Sequence, residues 1–321
     1  MNEPLPTLQD VEAAADLIRP VLIPTPQICW PLLSARAGTE VWVKHENHNP
    51  TGAFKVRGGL TYMAQLKAKA PETSGVIAAT RGNHGQSIAH AAKRLGLTAT
   101  IVVPHGNSRE KNAATAAYGA ELVEYGADFQ EALEHAMALG AERKLHAVPS
   151  FAMGLVRGVA TYALELFRGV ADLDTVYVPI GLGSGICSVI AMRDALGLKT
   201  KVVGVTAEGA QAYALSFKAG RPVPTNQAVT VADGLAVRTP HPQAVEIVCK
   251  GADRIVVVTD AEIRAAMTHY YTDTHNLAEG AGAAALAALL QESRSMAGKK
   301  VAVVLTGGNV DRPVYAGIIG A

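Results

Sequence analysis

Cysteine is scarce: Cys29, Cys187 and Cys249 are the only three in 321 residues. They are odd in number, far apart and free of any Cys-x-x-Cys spacing. That excludes a disulfide framework and a cysteine-rich zinc site, and points to reduced thiols in a cytoplasmic protein. Charge of one sign is missing too, since 29 Lys and Arg face 28 Asp and Glu for a net charge of +1. No global field recruits nucleic acid or an anionic membrane, so any basic site is local. Long apolar runs are absent; the Ala/Leu-rich stretch 281–290 is too short for a bilayer and reads as a core helix. The start, Met1-Asn2-Glu3-Pro4, lacks the basic-then-apolar pattern of a signal peptide. Aromatics make up only 5%, whereas apolar residues reach 49% with abundant Ala, Val, Leu and Gly. This suits tightly packed helices on largely parallel sheet.

What the chain does have is alternation. Thr7 and Asp10 open a helix that runs to Ile18 and is stopped by Pro20. Apolar strands at 75–80, 98–103, 121–123 and 146–148 alternate with helices at 87–95, 108–118 and 128–142. The pattern resumes with strands at 175–180, 201–206, 254–258 and 300–305 and helices at 261–271 and 280–290. Such spacing predicts right-handed crossovers. The expected fold is α/β: two subdomains of parallel or mixed sheet flanked by helices, with the active site in the cleft between them. Residues 51–150 form the small mobile subdomain, and 1–50 with 151–321 form the large one.

The stretch from Lys44 to Gly59, Lys-His-Glu-Asn-His-Asn-Pro-Thr-Gly-Ala-Phe-Lys-Val-Arg-Gly-Gly, organises the rest. A strand at 41–44 enters a polar loop, and a helix begins with Phe54 and Lys55 at its mouth. A lysine fixed there can present its amine to a cleft, partly desolvated, as a Schiff-base lysine must. Thr80-Arg81-Gly82-Asn83-His84-Gly85 joins strand to helix and makes an anion site suited to a substrate carboxylate. Gly181-Leu182-Gly183-Ser184-Gly185 sits in the same context and suits a monophosphate held by backbone amides. It is neither a Walker motif nor Gly-x-Gly-x-x-Gly, which weakens a nucleotide-phosphate reading. Thr306 ends the last strand in Thr-Gly-Gly-Asn, and Glu279 opens the Gly/Ala helix. His90, His105, His135 and His269 have no metal-site spacing.

In this order these stretches resemble the serine/threonine dehydratase–serine racemase group of pyridoxal-phosphate enzymes, the fold-type-II, tryptophan-synthase β-like family. The match runs from about Thr25 to Asn309 and includes Ala-Asp-Gly-Leu-Ala-Val at 232–237. The resemblance implies that Lys55 carries the cofactor aldehyde and acts as base at Cα. Phe54 packs on the ring, Asn83 meets its 3-hydroxyl, 181–185 grips the phosphate and Thr306 meets the pyridine nitrogen, with Glu279 beside the cofactor. Thr51, Thr80, Arg81, Gly82, Asn83 and His84 are the substrate-binding set. The implied reaction removes water from a β-hydroxy-α-amino acid, threonine or serine by default, giving a 2-oxo acid and ammonia. Variants are 3-hydroxyaspartate, an arylserine or a hydroxyectoine-derived acid. A racemase and a non-catalytic pyridoxal-phosphate binder are the rivals, and a homodimer is usual in the family.

Two departures from the family pattern matter. Arg81 stands where racemising relatives have a serine; a guanidinium is a poor proton shuttle but holds a carboxylate well. Where metal-binding relatives follow an acid like Glu208 with further ligands, this chain has Ala212 and Ala214, so a divalent cation is doubtful. A C-terminal regulatory domain has no room after Ala321.

Overall fold

The computed structural model describes residues 3–320, so Met1, Asn2 and Ala321, with part of the reading of the chain's start, lie outside the described residues. Helix α1 (Leu8–Ile18) opens on a capping box in which Thr7 and Asp10 each bond the other's backbone amide. Strand β1 (Gln27–Cys29), helix α2 (Pro31–Ala37) and strand β2 (Glu40–His45) follow, then α3 (Lys55–Lys69). Next come β3 (Gly75–Ala79), α4 (Asn83–Arg94), β4 (Thr98–Val103), α5 (Arg109–Ala117), β5 (Glu121–Glu124), α6 (Phe129–Arg143) and β6 (His146–Ala147). The second run holds α7 (Met153–Gly169), β7 (Thr175–Pro179), α8 (Ser184–Ala195), β8 (Lys201–Ala207), α9 (Ala212–Ala219), α10 (Pro242–Gly251) and β9 (Arg254–Val258). It ends with α11 (Asp260–Thr274), α12 (Gly280–Gln291), α13 (Ser293–Met296), β10 (Lys300–Leu305) and α14 (Arg312–Ile319).

The strands make two sheets. One has six strands in the order β1-β2-β10-β7-β8-β9, parallel except for β1 on β2; the other has four, β5-β4-β3-β6, all parallel. The α/β class and the helix-flanked sheets expected from the alternation are those found. Each sheet is covered on both faces. Along β10, Val301, Val303 and Leu305 pack with α11 and α12, whereas Ala302 and Val304 pack with α7 and α8. This period of two is what a pleated strand between two layers requires. In the smaller sheet Val76 and Ala78 meet α3 and α4, and Ile77 and Ala79 meet α6.

Helix α7 goes beyond the sequence reading: 13 of its 17 residues are buried and no side chain caps it, so it offers no start signal. Helix α4 begins at Asn83 rather than Ser87, which puts Asn83 and His84 in its first turn. Helix α3 lies between α7 and α4 at very short range. A Cβ on Gly58 would stand 2.8 Å from the Leu155 carbonyl oxygen, and one on Gly59 would stand 2.2 Å from Ser87 Oγ. The paired glycines after Arg57 are thus packing residues. No helix among the described residues is long and apolar enough to cross a membrane.

Candidate active site

The loop that carries Lys55 stands on a buried ionic footing. Arg57, fully buried, donates from Nε to Glu46 Oε2 at 2.7 Å and from Nη2 to Glu46 Oε1 at 3.0 Å. Its other side donates to Glu165 at 2.7 and 2.9 Å and to Thr161 Oγ at 3.0 Å. Lys44 Nζ reaches Glu165 Oε2 at 2.5 Å and the Thr25 carbonyl at 2.8 Å. Two cations and two carboxylates balance here. Burial works against the Glu46 anion, yet Arg57 and Lys44 hold its carboxyl below the usual range. Asn49 donates to Glu46 Oε2 at 2.8 Å, so the strand end, the loop and the first turn of α3 are tied to one carboxylate.

Above this footing the loop is stitched to the turn after β10. Phe54 N donates to the Thr306 carbonyl at 3.0 Å, Gly308 N to the Gly52 carbonyl at 2.9 Å, and Asn309 Nδ2 to the Thr51 carbonyl at 2.8 Å. Lys55 Nζ emerges 5.1 Å from the centre of the Phe54 ring and donates to Ser184 Oγ at 3.1 Å. No carboxylate faces the amine, and burial alone lowers it to about 8. Roughly a tenth of the amine is therefore neutral and nucleophilic at pH 7, far more than for a free lysine.

The carboxyl ends of β3, β7 and β10 and the mouth of α3 converge on one cavity of about 300 Å³. Phe54, Lys55, Thr80, Arg81, Gly82, Asn83, His84, Gly181, Leu182, Gly183, Ser184, Gly185, Glu279 and Thr306 all line it. Thr51 does not: it is buried behind the wall, where its carbonyl receives Asn309.

One wall is a cradle of free amides. Among the described residues, no backbone N–H from Gly181 to Ile186 donates a hydrogen bond, and Cys187 N is the first to turn back, to Gly183 O at 3.0 Å. These amides open α8 and share its dipole. Gly183 sits at φ +102°, and a Cβ on Gly181 would stand 2.4 Å from the Gly234 carbonyl oxygen. Tyr162 and Tyr213 donate to the carbonyls of Gly185 and Leu182 at 3.1 and 2.7 Å, which fixes the loop from behind. A second amide cluster opens α4. Asn83, His84 and Gly85 donate nothing from their backbone, while Gln86 N returns to Gly82 O at 3.2 Å. His84, buried to 7% exposure, lines the cavity with Nε2 unpartnered. Burial and the nearby Lys55 push its imidazolium down to about 3, so the ring is neutral.

Sequence reasoning named Glu279 but missed the ion pairs around it. Lys111, from α5, donates to Asp233 Oδ2 at 2.6 Å and to Glu279 Oε2 at 3.3 Å. Against the burial that would lower it, the two acids hold its ammonium above its ordinary value. Glu279 takes a 2.6 Å bond from Asn83 Nδ2, and Asn83 Oδ1 takes one of 2.8 Å from Asn309. Burial raises the Glu279 carboxyl, Lys111 opposes, and Asp233 adds to the rise. Asp233 lay in a quoted motif, but a lysine in the run Arg-Glu-Lys on α5 gave no signal. Arg238 and Asp128 were missed as well: they line the cavity and pair at 3.5 Å. Among the described residues no three His, Cys, Asp or Glu side chains converge.

Known proteins resemble this chain. A family model described as pyridoxal-phosphate dependent enzyme matches residues 18–307. An L-threonine ammonia-lyase of Thermotoga maritima is 35% identical over 95% of this chain and 76% of its own. An L-threo-3-hydroxyaspartate ammonia-lyase of Saccharomyces cerevisiae is 33% identical over 98% of this chain and 97% of its own. The processed form of threonine deaminase isoform 2 from Solanum lycopersicum superposes with a TM-score of 0.88 at 29% identity, covering 100% of this chain and 96% of that one.

Proposed function

Because the chain belongs to the pyridoxal-phosphate dependent enzyme family, we propose that it is a dehydratase that converts a β-hydroxy-α-amino acid to a 2-oxo acid and ammonia. The observation that carries this is the pairing of one buried, charge-isolated lysine amine with an empty-handed amide cradle on the opposite wall. These residues fit the cofactor. The amides of Gly181 to Ile186 and the Ser184 hydroxyl match a phosphate, and Phe54 offers a ring face. Thr306 adds a hydroxyl that makes no hydrogen bond among the described residues. A Cβ at Gly185 would make only ordinary contact at 3.5 Å or more, so that glycine leaves room on the cavity side.

When bound, pyridoxal phosphate supplies an aldehyde for the substrate amine and a conjugated ring that draws electrons from Cα. Lys55 would take the Cα proton; its lowered pKa suits a base near neutral pH. The α4 amides and the neutral His84 hold the α-carboxylate and so fix which bond faces Lys55. The β-hydroxyl would leave as water, its added proton balancing the one that Lys55 takes from Cα. The enamine released then takes up water and loses ammonia, giving the 2-oxo acid. Asn83, anchored on Glu279 and Asn309, would hold the ring in place. Thr306 would offer the ring nitrogen a neutral hydroxyl rather than a carboxylate.

Racemisation is the rival within the family. It needs an acid on the face of Cα opposite Lys55, and Arg81 holds its proton too firmly for that role. The same reading takes residues 51–150 as a subdomain that moves against the rest, with Lys111 and Asp233 meeting across the cleft. It also takes the working form as a cytoplasmic homodimer. A panel of β-hydroxy amino acids, assayed for 2-oxo acid and ammonia alongside chiral analysis of the remaining substrate, tests the proposal. Inverted substrate without ammonia would replace dehydratase by racemase.

A further inference from the structure

Charge at the mouth of the cavity does not balance. Arg81 and Arg238 both line it, with Asp128 as the carboxylate that responds to both. Asp128 is already engaged: it caps α6 by accepting from the amides of Gln130 and Glu131 at 2.8 and 3.0 Å, and Arg238 Nη1 stands 3.5 Å from its Oδ2. Arg81 is exposed and makes no hydrogen bond or ion pair among the described residues. Its guanidinium acts on Asp128 only through space.

Arg81 is also two residues ahead of a seat for an α-carboxylate. The unclaimed amides of Asn83, His84 and Gly85 and the unpartnered His84 Nε2 serve that group without it. A fork of five donors beside an occupied carboxylate seat is what a second carboxylate calls for. Resting on the dehydratase reading above, we infer that the substrate is a β-hydroxy-α-amino acid whose side chain ends in a carboxylate. Arg81 pairs with that distal carboxylate. Asp128, held by Arg238, is a resident anion that partly offsets the pull of Arg81 on such a group. Cavity walls built from glycine amides would tolerate either; the arginine discriminates.

The test compares threo-3-hydroxyaspartate with threonine as substrates of the holoenzyme. In parallel it measures binding of L-aspartate and L-alanine, which have no β-leaving group, through their effect on the cofactor spectrum. The wild type prefers hydroxyaspartate in kcat/KM and binds aspartate more tightly than alanine. Arg81→Ala lowers the hydroxyaspartate-to-threonine ratio on the order of 100-fold, chiefly through KM, and Arg81→Lys recovers part of it. Asp128→Asn keeps the cap but removes the competing anion, and raises the ratio about 3- to 10-fold. A ratio unmoved by Arg81→Ala and by Asp128→Asn, or a wild type that prefers threonine, overturns the inference. Tighter aspartate binding through Arg81 with no 2-oxo acid from any substrate would instead sink the elimination chemistry and leave the dicarboxylate site standing.

Discussion

Replacing Glu46 by glutamine keeps the shape of the footing under Lys55 and removes one of its two negative charges. Four donors converge on this carboxylate: Arg57 Nε and Nη2 at 2.7 and 3.0 Å, Thr25 Oγ at 2.6 Å and Asn49 Nδ2 at 2.8 Å. Glutamine brings two hydrogens into a space where every neighbour donates, so at least one contact turns repulsive and Arg57 keeps only Glu165. Breaking a buried pair in this way costs about 3–5 kcal/mol. At roughly 2 cal/mol/K of unfolding entropy per residue, a chain of 321 residues loses ~4–7 °C in melting midpoint.

The sign with pH follows from the lowered Glu46 carboxyl. Its contribution is fully present above the ordinary value of 4.5 and is lost as pH falls through the lower folded value. The gap between variant and wild type therefore closes in acid. Melting followed by far-UV circular dichroism at neutral and acid pH reads both effects, and visible absorbance reports whether Lys55 still takes up cofactor. A neutral-pH midpoint within ~1 °C of wild type would refute the role given to this network, because ~1 °C is well below the cost of an orphaned buried cation.

Three further outcomes are expected. Uptake of pyridoxal phosphate by the apoprotein needs the neutral Lys55 amine, so its rate rises with pH through about 8 rather than through the 10.5 of free lysine; stopped-flow absorbance against pH measures this, and a midpoint near 10 contradicts the buried amine. Gly183→Ala forces a Cβ at φ +102° to 2.8 Å from Ala244 Cβ, and about 1–3 kcal/mol of strain in the cradle weakens cofactor affinity ~5- to 150-fold in equilibrium dialysis. Lys111→Gln removes the cation that opposes the raised Glu279 carboxyl, so the acid limb of the kcat/KM profile moves to higher pH; an unmoved limb would show that Glu279 plays no part in the titrating step.

The α/β class and most of its strands were legible because strand and helix periods alternate cleanly between 75 and 147 and again from 175 to 305, whereas the order of the strands within the two sheets came only with the fold. The cavity was legible too, since each motif follows a strand or opens a helix, and the topology gathers those ends. What escaped was long-range pairing. Lys111 reads as a surface lysine until α5 is folded across the cleft onto Asp233 and Glu279. Lys44, Glu46 and Arg57 lie in the organising stretch with no role assigned from sequence; the fold turns them beneath the loop against Glu165 of α7. Thr51 failed for the same reason: position in a motif does not say which side of the wall a residue takes.

The central claim is a covalent one and can be measured directly. Holoprotein reduced with borohydride, digested and mapped by mass spectrometry is predicted to carry the pyridoxyl group on Lys55 and on no other lysine. A label on a different lysine, or an unmodified Lys55 in protein that retains full turnover, would contradict the account.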